Sequence, residues 1–278
     1  MWVLRNAASG RSPEYTGSVS SLRGLAGVDL GRRRVELSES EMTYYALMIA
    51  GDNASSFDVL FEDGQPACPS YALPLSEWAM HELVTAADFD HTRTMLAGLT
   101  LTMKRPLPTG GWLDMAARVP VVWDTGRAAL VDVEVASEYF TVHFVVYVPD
   151  GGGFGGPAPP RSETFGECRP DFVLPLAHAD TAVYRKVRPD ATEAPDPGQT
   201  RPVQPGLITF ARGLVSLVQH HHLPAERVHE MRARFVAPAR LGEPLSLHGC
   251  DDGRFVVRGE KGVILDDGRL TVSATAMS

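Results

Sequence analysis

The chain has little of what marks an exported, membrane-bound or nucleic-acid-binding protein. Its 278 residues include three cysteines, Cys68, Cys168 and Cys250. They lie far apart with no C-x-x-C, so neither a disulfide scaffold nor a structural zinc site is expected, and the spacing fits a reducing cytoplasm. No apolar run is long enough to span a bilayer, and the first residues lack the basic-then-apolar order of a signal peptide. Neither a membrane nor export by that route is expected. Cations are scarce as well, with 26 Lys and Arg against 34 Asp and Glu for a net charge of −8. Phosphates and anionic lipids do not attract such a chain, which removes nucleic acid from the expected partners.

What is present is a large apolar fraction, 44% of residues, enough for a substantial core. Residues 1–20 are polar and Gly/Ser-rich and read as a flexible leader. From Ser38 the apolar stripe Met42, Tyr45, Ala46 and Ile49 predicts a helix ending at Gly51, opened by a Ser38/Glu41 capping box. A second, proline-led helix is expected over 69–84, with Tyr71, Leu75, Trp78, Ala79 and Leu83 near one face. After it, an alternating strand leads into Pro106, Gly110 and Leu113. Half a chain later the same spacing recurs as Pro238, Gly242 and Leu245, again after an apolar helix and an alternating strand. Turns are expected at 124–127 (DTGR), 251–254 and 266–269 (both DDGR), with one strand over 131–148. The Gly/Pro stretch from 151 reads as a linker. These signals divide the chain into a leader 1–20, a first domain 21–150, a linker 151–165 and a second domain 166–278.

The organising stretch is 184–221. Pro189, Pro195, Pro197, Pro202 and Pro205 are too dense for a helix interior or a central strand, so the first part is a loop. It feeds a helix from Gly206 whose apolar residues Leu207, Ile208, Phe210, Ala211, Leu214, Val215, Leu217 and Val218 recur at helical spacing. Tyr184–Arg185, Gly206–Leu207, and Arg234, Phe235, Pro238, Gly242 and Leu245 together resemble the MaoC-like double hot-dog 2-enoyl-CoA hydratases. Tyr45–Ala46–Leu47 before Gly51 and the run Gly152–Pro157 resemble the same family, and the resemblance extends over about residues 22–275. It implies an α+β double hot-dog fold, two antiparallel sheets each wrapped round a central helix as a pseudo-dimer. The family motif D-x-N-P-x-H is missing between 184 and 207, and Pro205 stands where the histidine precedes Gly-Leu.

The candidate site follows from this frame. A helix N-terminus exposes backbone N–H groups, so the amides of Gly206 and Leu207 are candidates to hold a thioester carbonyl, with Tyr184 beside them by resemblance. Asp52, Tyr71, Trp78, Arg185, Phe210 and Ala211 are the candidate substrate-binding residues. For Phe210 the competing reading is core, for Asp52 a helix end, and for Arg185 a salt bridge. Asp190, Glu193 and Asp196 could replace the missing acid and base, or belong to a solvated loop. His220, His221 and His222 point in different directions on a helix and read as its exposed end; no metal and no cofactor are expected. Three functions stay open. The first is a repurposed enzyme folding a long polyketide-like or acyl chain for intramolecular [4+2] cyclisation. The others are an acyl-thioester hydratase or dehydratase with displaced acids, and a non-catalytic acyl-chain-binding subunit. A carrier-protein-bound substrate and a homodimer are left open.

Overall fold

The computed structural model describes residues 22–50, 61–62, 65–66, 68–87, 93–160, 170–176 and 203–274. A short 3-10 turn, Leu22–Leu25, leads into β1 (Asp29–Leu37) and α1 (Glu39–Ala50). The two-residue strands β2 (Phe61–Glu62) and β3 (Gln65–Pro66) pair with each other. A 3-10 turn at Pro69–Tyr71 runs into α2 (Ala72–Ser76) and α3 (Trp78–Ala86). Four strands complete the first repeat: β4 (Met95–Met103), β5 (Gly111–Asp124), β6 (Ala129–Ala136) and β7 (Phe140–Val148). The second repeat holds β8 (Phe172–Leu176), α4 (Gly206–His220), β9 (Val228–Phe235), β10 (Leu245–Gly249), β11 (Arg254–Gly259) and β12 (Gly262–Val272).

Ten strands form one antiparallel sheet in the order β1-β5-β6-β7-β4-β9-β12-β11-β10-β8. The order reads as the same five-strand pattern from either edge, with β4 and β9 paired at the centre, Leu101 opposite Met231. The recurring Pro-Gly-Leu spacing is thus the sequence trace of a pseudo-two-fold through the β4–β9 pair. Alternation decides which face is core. In β7, Phe140, Val142, Phe144, Val146 and Val148 are buried, and the residues between them are half-buried on the other face. Helix α4 covers the inner face of the second repeat. A Cβ at Gly213 would stand 3.5 Å from the Met231 side chain and 3.6 Å from that of Leu247.

Several sequence expectations are modified for local reasons. The 131–148 stretch is two strands, because the Ser137 hydroxyl accepts the Tyr139 and Phe140 amides at 3.1 and 3.0 Å and closes a turn. Residues 266–269 are no turn between strands. They form a bulge within β12, with Asp267 at φ 51°, and the β11–β12 reversal lies where Gly259 pairs with Gly262. The 69–84 helix is broken at Glu77. Pro74 lacks an amide, and the Ser76 hydroxyl donates to the Ala72 carbonyl at 2.7 Å, competing with the helical ladder. At α1 the Ser38 hydroxyl bonds Ser40 Oγ at 2.8 Å instead of closing the box with Glu41. Cys250 is disulfide-bonded, against the expectation of isolated cysteines, while Cys68 is a buried free thiol.

The Gly-Phe-Gly stretch after β7 is held by one carboxylate. Asp124 accepts the amides of Gly153, Gly126, Gly155 and Gly156 at 2.7 to 3.4 Å, and these bonds lower its pKa to about 2. A pKa depressed on folding contributes stability above the unfolded value of about 4, and that contribution fades as pH falls through about 2. Hydrogen exchange of the Gly153 and Gly155 amides should therefore accelerate between pH 4 and 2, and at neutral pH in Asp124→Ala. Unchanged protection in Asp124→Ala would mean that other contacts hold this segment.

Candidate functional site

Helix α4 starts without a side-chain cap. Pro205 occupies the N-cap at φ −57°, ψ 132°, and its carbonyl accepts the Ile208 amide at 3.0 Å and the Thr209 amide at 3.4 Å. The Gly206 and Leu207 amides precede the intrahelical ladder and have no partner among the described residues. They are two adjacent donors at the positive end of a helix dipole.

The approach of β9 explains the glycine. A Cβ on Gly206 would lie 2.5 Å from Cε1 of Phe235, so this ring occupies the place of a side chain. Phe235 of the Arg-Phe pair thus packs directly on the Gly of the Gly-Leu pair, which ties two separated sequence signatures to one contact. Gly206→Ala should cost about 1–3 kcal/mol in urea unfolding by overpacking, and Phe235→Leu should recover part of it. Additive losses in the double variant would show that the two residues do not compete for one space.

Beside these amides lies a polar pair that periodicity does not reveal. Gln204 is 5% exposed and Thr209 1%, and Gln204 Nε2 donates to Thr209 Oγ1 at 2.8 Å. The Gln204 amide donates in turn to the Ala239 carbonyl at 2.8 Å, and Val203 bridges to Arg240. The residue before Pro205 is thereby fixed to the segment that carries Pro238. The only signal in sequence was two polar residues flanking an otherwise apolar helix start.

Further along α4, Phe210 and Ala211 are completely buried, and Phe210 is among the largest fully buried side chains. Arg212 is buried at 2% exposure, and its Nη2 donates to the Met48 carbonyl at 3.0 Å. A cation placed at the C-terminal end of α1 is favoured by that helix's dipole, so Arg212 links the first repeat to the central helix of the second. The other end of α4 closes on His222 at φ 49°, with the Leu223 amide returning to the Val218 carbonyl. The rings of His220 and His221 lie 3.8 and 5.4 Å from that of Phe172, packing the helix end on strand β8.

Tyr71 and Trp78 are buried in the first repeat. The Tyr71 ring lies 5.3 Å from that of Tyr45, and the Arg33 guanidinium stands 5.5 Å over Trp78. Tyr45 donates to the Ser70 carbonyl at 3.0 Å, and Cys68 Sγ lies 3.1 Å from Ser70 Oγ. Burial raises the Tyr45 and Tyr71 phenols and pushes the Cys68 thiol up to about 11, so all three stay protonated at neutral pH. This is a neutral, hydrogen-bonded knot, and it contains no thiolate nucleophile. Asp52, Tyr184, Arg185, Asp190, Glu193 and Asp196 lie outside the described residues. Gly206, Leu207, Phe210 and Ala211 thus share one helix, while Tyr71 and Trp78 belong to the core of the other repeat.

No family model matches the chain. The enoyl-CoA hydratase ChsH3 of Mycobacterium tuberculosis is 27% identical over 186 residues, which cover 61% of this chain and 65% of that protein, just under two thirds of its length. Among solved structures, a MaoC-like dehydratase from Phytophthora capsici matches 94% of this chain and 100% of its own with a TM-score of 0.76 at 19% identity. HtdX of Mycobacterium tuberculosis matches 87% of this chain with a TM-score of 0.59 at 18% identity. A further Mycobacterium tuberculosis protein, described as having a double hotdog fold, matches 89% of this chain with a TM-score of 0.53 at 13% identity. The paired five-strand halves, each with its helix on the inner face, and these likenesses together establish that the chain has the double hot-dog fold of the MaoC-like dehydratases.

Proposed function

We propose that the chain binds an acyl thioester at the start of α4 and acts on its enoyl group, as a hydratase or dehydratase. The observation that carries this reading is the pair of amides at Gly206 and Leu207, unpartnered among the described residues, behind a proline that cannot cap them with a side chain. Adding water across a 2-enoyl thioester places negative charge on the carbonyl oxygen as the enolate forms. Two fixed N–H donors stabilise that charge more than they stabilise the ground-state carbonyl. Phe235 and the Gln204–Thr209 pair hold the donors in place from two sides. The similarity to an enoyl-CoA hydratase supports the same chemistry.

Hydration also needs a proton acceptor for the water and a donor for the α-carbon. Since no histidine stands between 184 and 207, Asp190, Glu193 and Asp196 are the residues we assign to that work, with Tyr184 as a hydrogen-bonding neighbour. A second reading, intramolecular [4+2] cyclisation of a polyketide-like chain, is favoured by Pro205 in the place of the family's histidine. Hydrogen bonds to a conjugated carbonyl activate a dienophile without any proton transfer, and orientation supplies the remaining acceleration.

The two readings separate in one assay series. Purified chain is incubated with trans-2-enoyl-CoA thioesters of increasing length and with a linear polyene thioester, and products are separated by mass. Hydration adds the mass of water; cyclisation leaves the mass unchanged and shifts retention. Hydration that disappears in the Asp190→Ala/Glu193→Ala/Asp196→Ala triple variant supports the first reading. Cyclisation without hydration selects the second, and turnover of neither substrate above the protein-free rate removes both.

A further inference from the structure

We propose that the outer sheet face of the second repeat docks an acidic surface of another protein. The registers place one row of side chains across the centre of the sheet. Thr100 on β4 faces Arg232 on β9, Arg232 faces Arg269 on β12, and Arg269 faces Arg254 on β11. Three guanidinium groups therefore stand on neighbouring strands, where like charges directly opposite one another are destabilising. Arg234 and Arg258, both exposed, extend the same face.

The first repeat serves as an internal control, because the same row runs through it in the other direction. There Thr100 faces His143, His143 faces Glu134, and Glu134 faces Arg118. Opposite charges meet: Arg118 makes two hydrogen bonds to Glu134, at 2.8 and 3.0 Å, and His143 Nδ1 lies 3.1 Å from Asp132. The scaffold therefore forms this row without clustered cations. Among the described residues of the second repeat, Glu230, Asp252 and Asp266 are acids beside the row, and Arg254 and Arg269 each make local interactions of their own. Asp252 pairs with Arg254 and Asp266 with Arg234, each at 2.7 Å, while Glu230 accepts from Thr102. The Nε of Arg232 is buried without a hydrogen-bond partner. A cationic surface of this kind, on a chain of net charge −8, is set against the charge of the rest of the molecule.

Charge complementarity selects the occupant. Guanidinium groups pair bidentately with carboxylates, and they stay charged across the physiological pH range. The interspersed Glu230, Asp252 and Asp266 would repel a uniformly anionic polymer or bilayer. A folded partner can place its carboxylates opposite the arginines and leave neutral groups opposite the acids. The face lies on the side of the sheet away from α4, so this docking is independent of the thioester chemistry.

The test uses the whole chain and a fluorescent peptide of alternating glutamate and serine as the acidic probe, titrated at low salt. Arg232→Thr/Arg269→Thr, which gives the row the residue type found at Thr100, should weaken binding about tenfold or more and should melt at or above the wild-type temperature. Arg32→Thr, on the exposed side of β1, should bind as wild type. Equal binding by the double variant, or its melting below wild type, would overturn the proposal, since the row would then serve folding. So would tighter binding of a single-stranded oligonucleotide than of the peptide. Sedimentation showing a wild-type dimer that the same substitutions dissolve would give the face to a second copy of the chain.

Discussion

Replacing Leu207 by proline is expected to lower turnover of an acyl thioester about 10²- to 10³-fold, the usual effect of losing one oxyanion donor. Proline is tolerated in the first turn of a helix because its missing N–H has no intrahelical acceptor there. The substitution therefore removes one of the two amides while leaving the α4 hydrogen-bond ladder intact. Leu207 also packs against the core, so Leu207→Ala is the needed companion: it loses the side chain and keeps the amide. Comparing kcat for the two variants, with melting curves for both, isolates the donor. If both variants lose the same activity, the side chain matters and the amide does not.

Phe210→Ala is expected to destabilise the chain by about 3–5 kcal/mol in denaturant unfolding, the range for emptying a fully buried aromatic site. Phe210 is 0% exposed, and its neighbours along α4, including Ala211, Leu214 and Leu217, are equally enclosed. The result also decides how α4 is used. A side chain that borders a substrate channel already has open space on one side, so its loss costs less than the core value. A loss near 1 kcal/mol would place Phe210 on the wall of such a channel, as the sequence reading allowed. For the same reason a tryptophan at Ala211 would test packing before it tested substrate access.

The residues that fix the fold were readable because their physics is periodic. The apolar stripe from Leu207 to Val218 could only be a buried helix, and the Pro-Gly-Leu spacing marks equivalent corners of the two halves of one sheet. Where the reading failed, a single side chain had overridden a pattern. Alternation runs through 131–135 and again through 140–148, but its phase changes between them, where the Ser137 hydroxyl turns the chain. The second DDGR has the composition of a turn, but pairing with β9 and β11 on either side holds it as a bulge inside a strand. The Ser76 back-bond that interrupts the helix expected over 69–84 is invisible to a hydrophobic count.

The site was partly legible for a different reason. The start of α4 stands out because its residues mark an uncapped helix N-terminus: Pro205 offers no side-chain cap, and Gly206 leaves room for the Phe235 ring. Gln204, Thr209 and Arg212 gave no such mark. Their roles depend on Ala239 and Met48, residues distant in sequence that only the folded chain brings alongside. Arg212 in particular interrupts an apolar helix at a position that periodicity assigns to the core, and the carbonyl it meets belongs to the other repeat.

The account stands on the claim that the first turn of α4 polarises a thioester carbonyl. Isotope-edited infrared spectroscopy of a carbonyl-labelled 2-enoyl thioester bound to the chain tests this most directly. The account predicts that the carbonyl stretch moves to lower frequency on binding to wild type, and that most of the shift is lost in Leu207→Pro but kept in Leu207→Ala. A bound carbonyl with the same stretch as in water or in an apolar solvent, unaffected by Leu207→Pro, would contradict it.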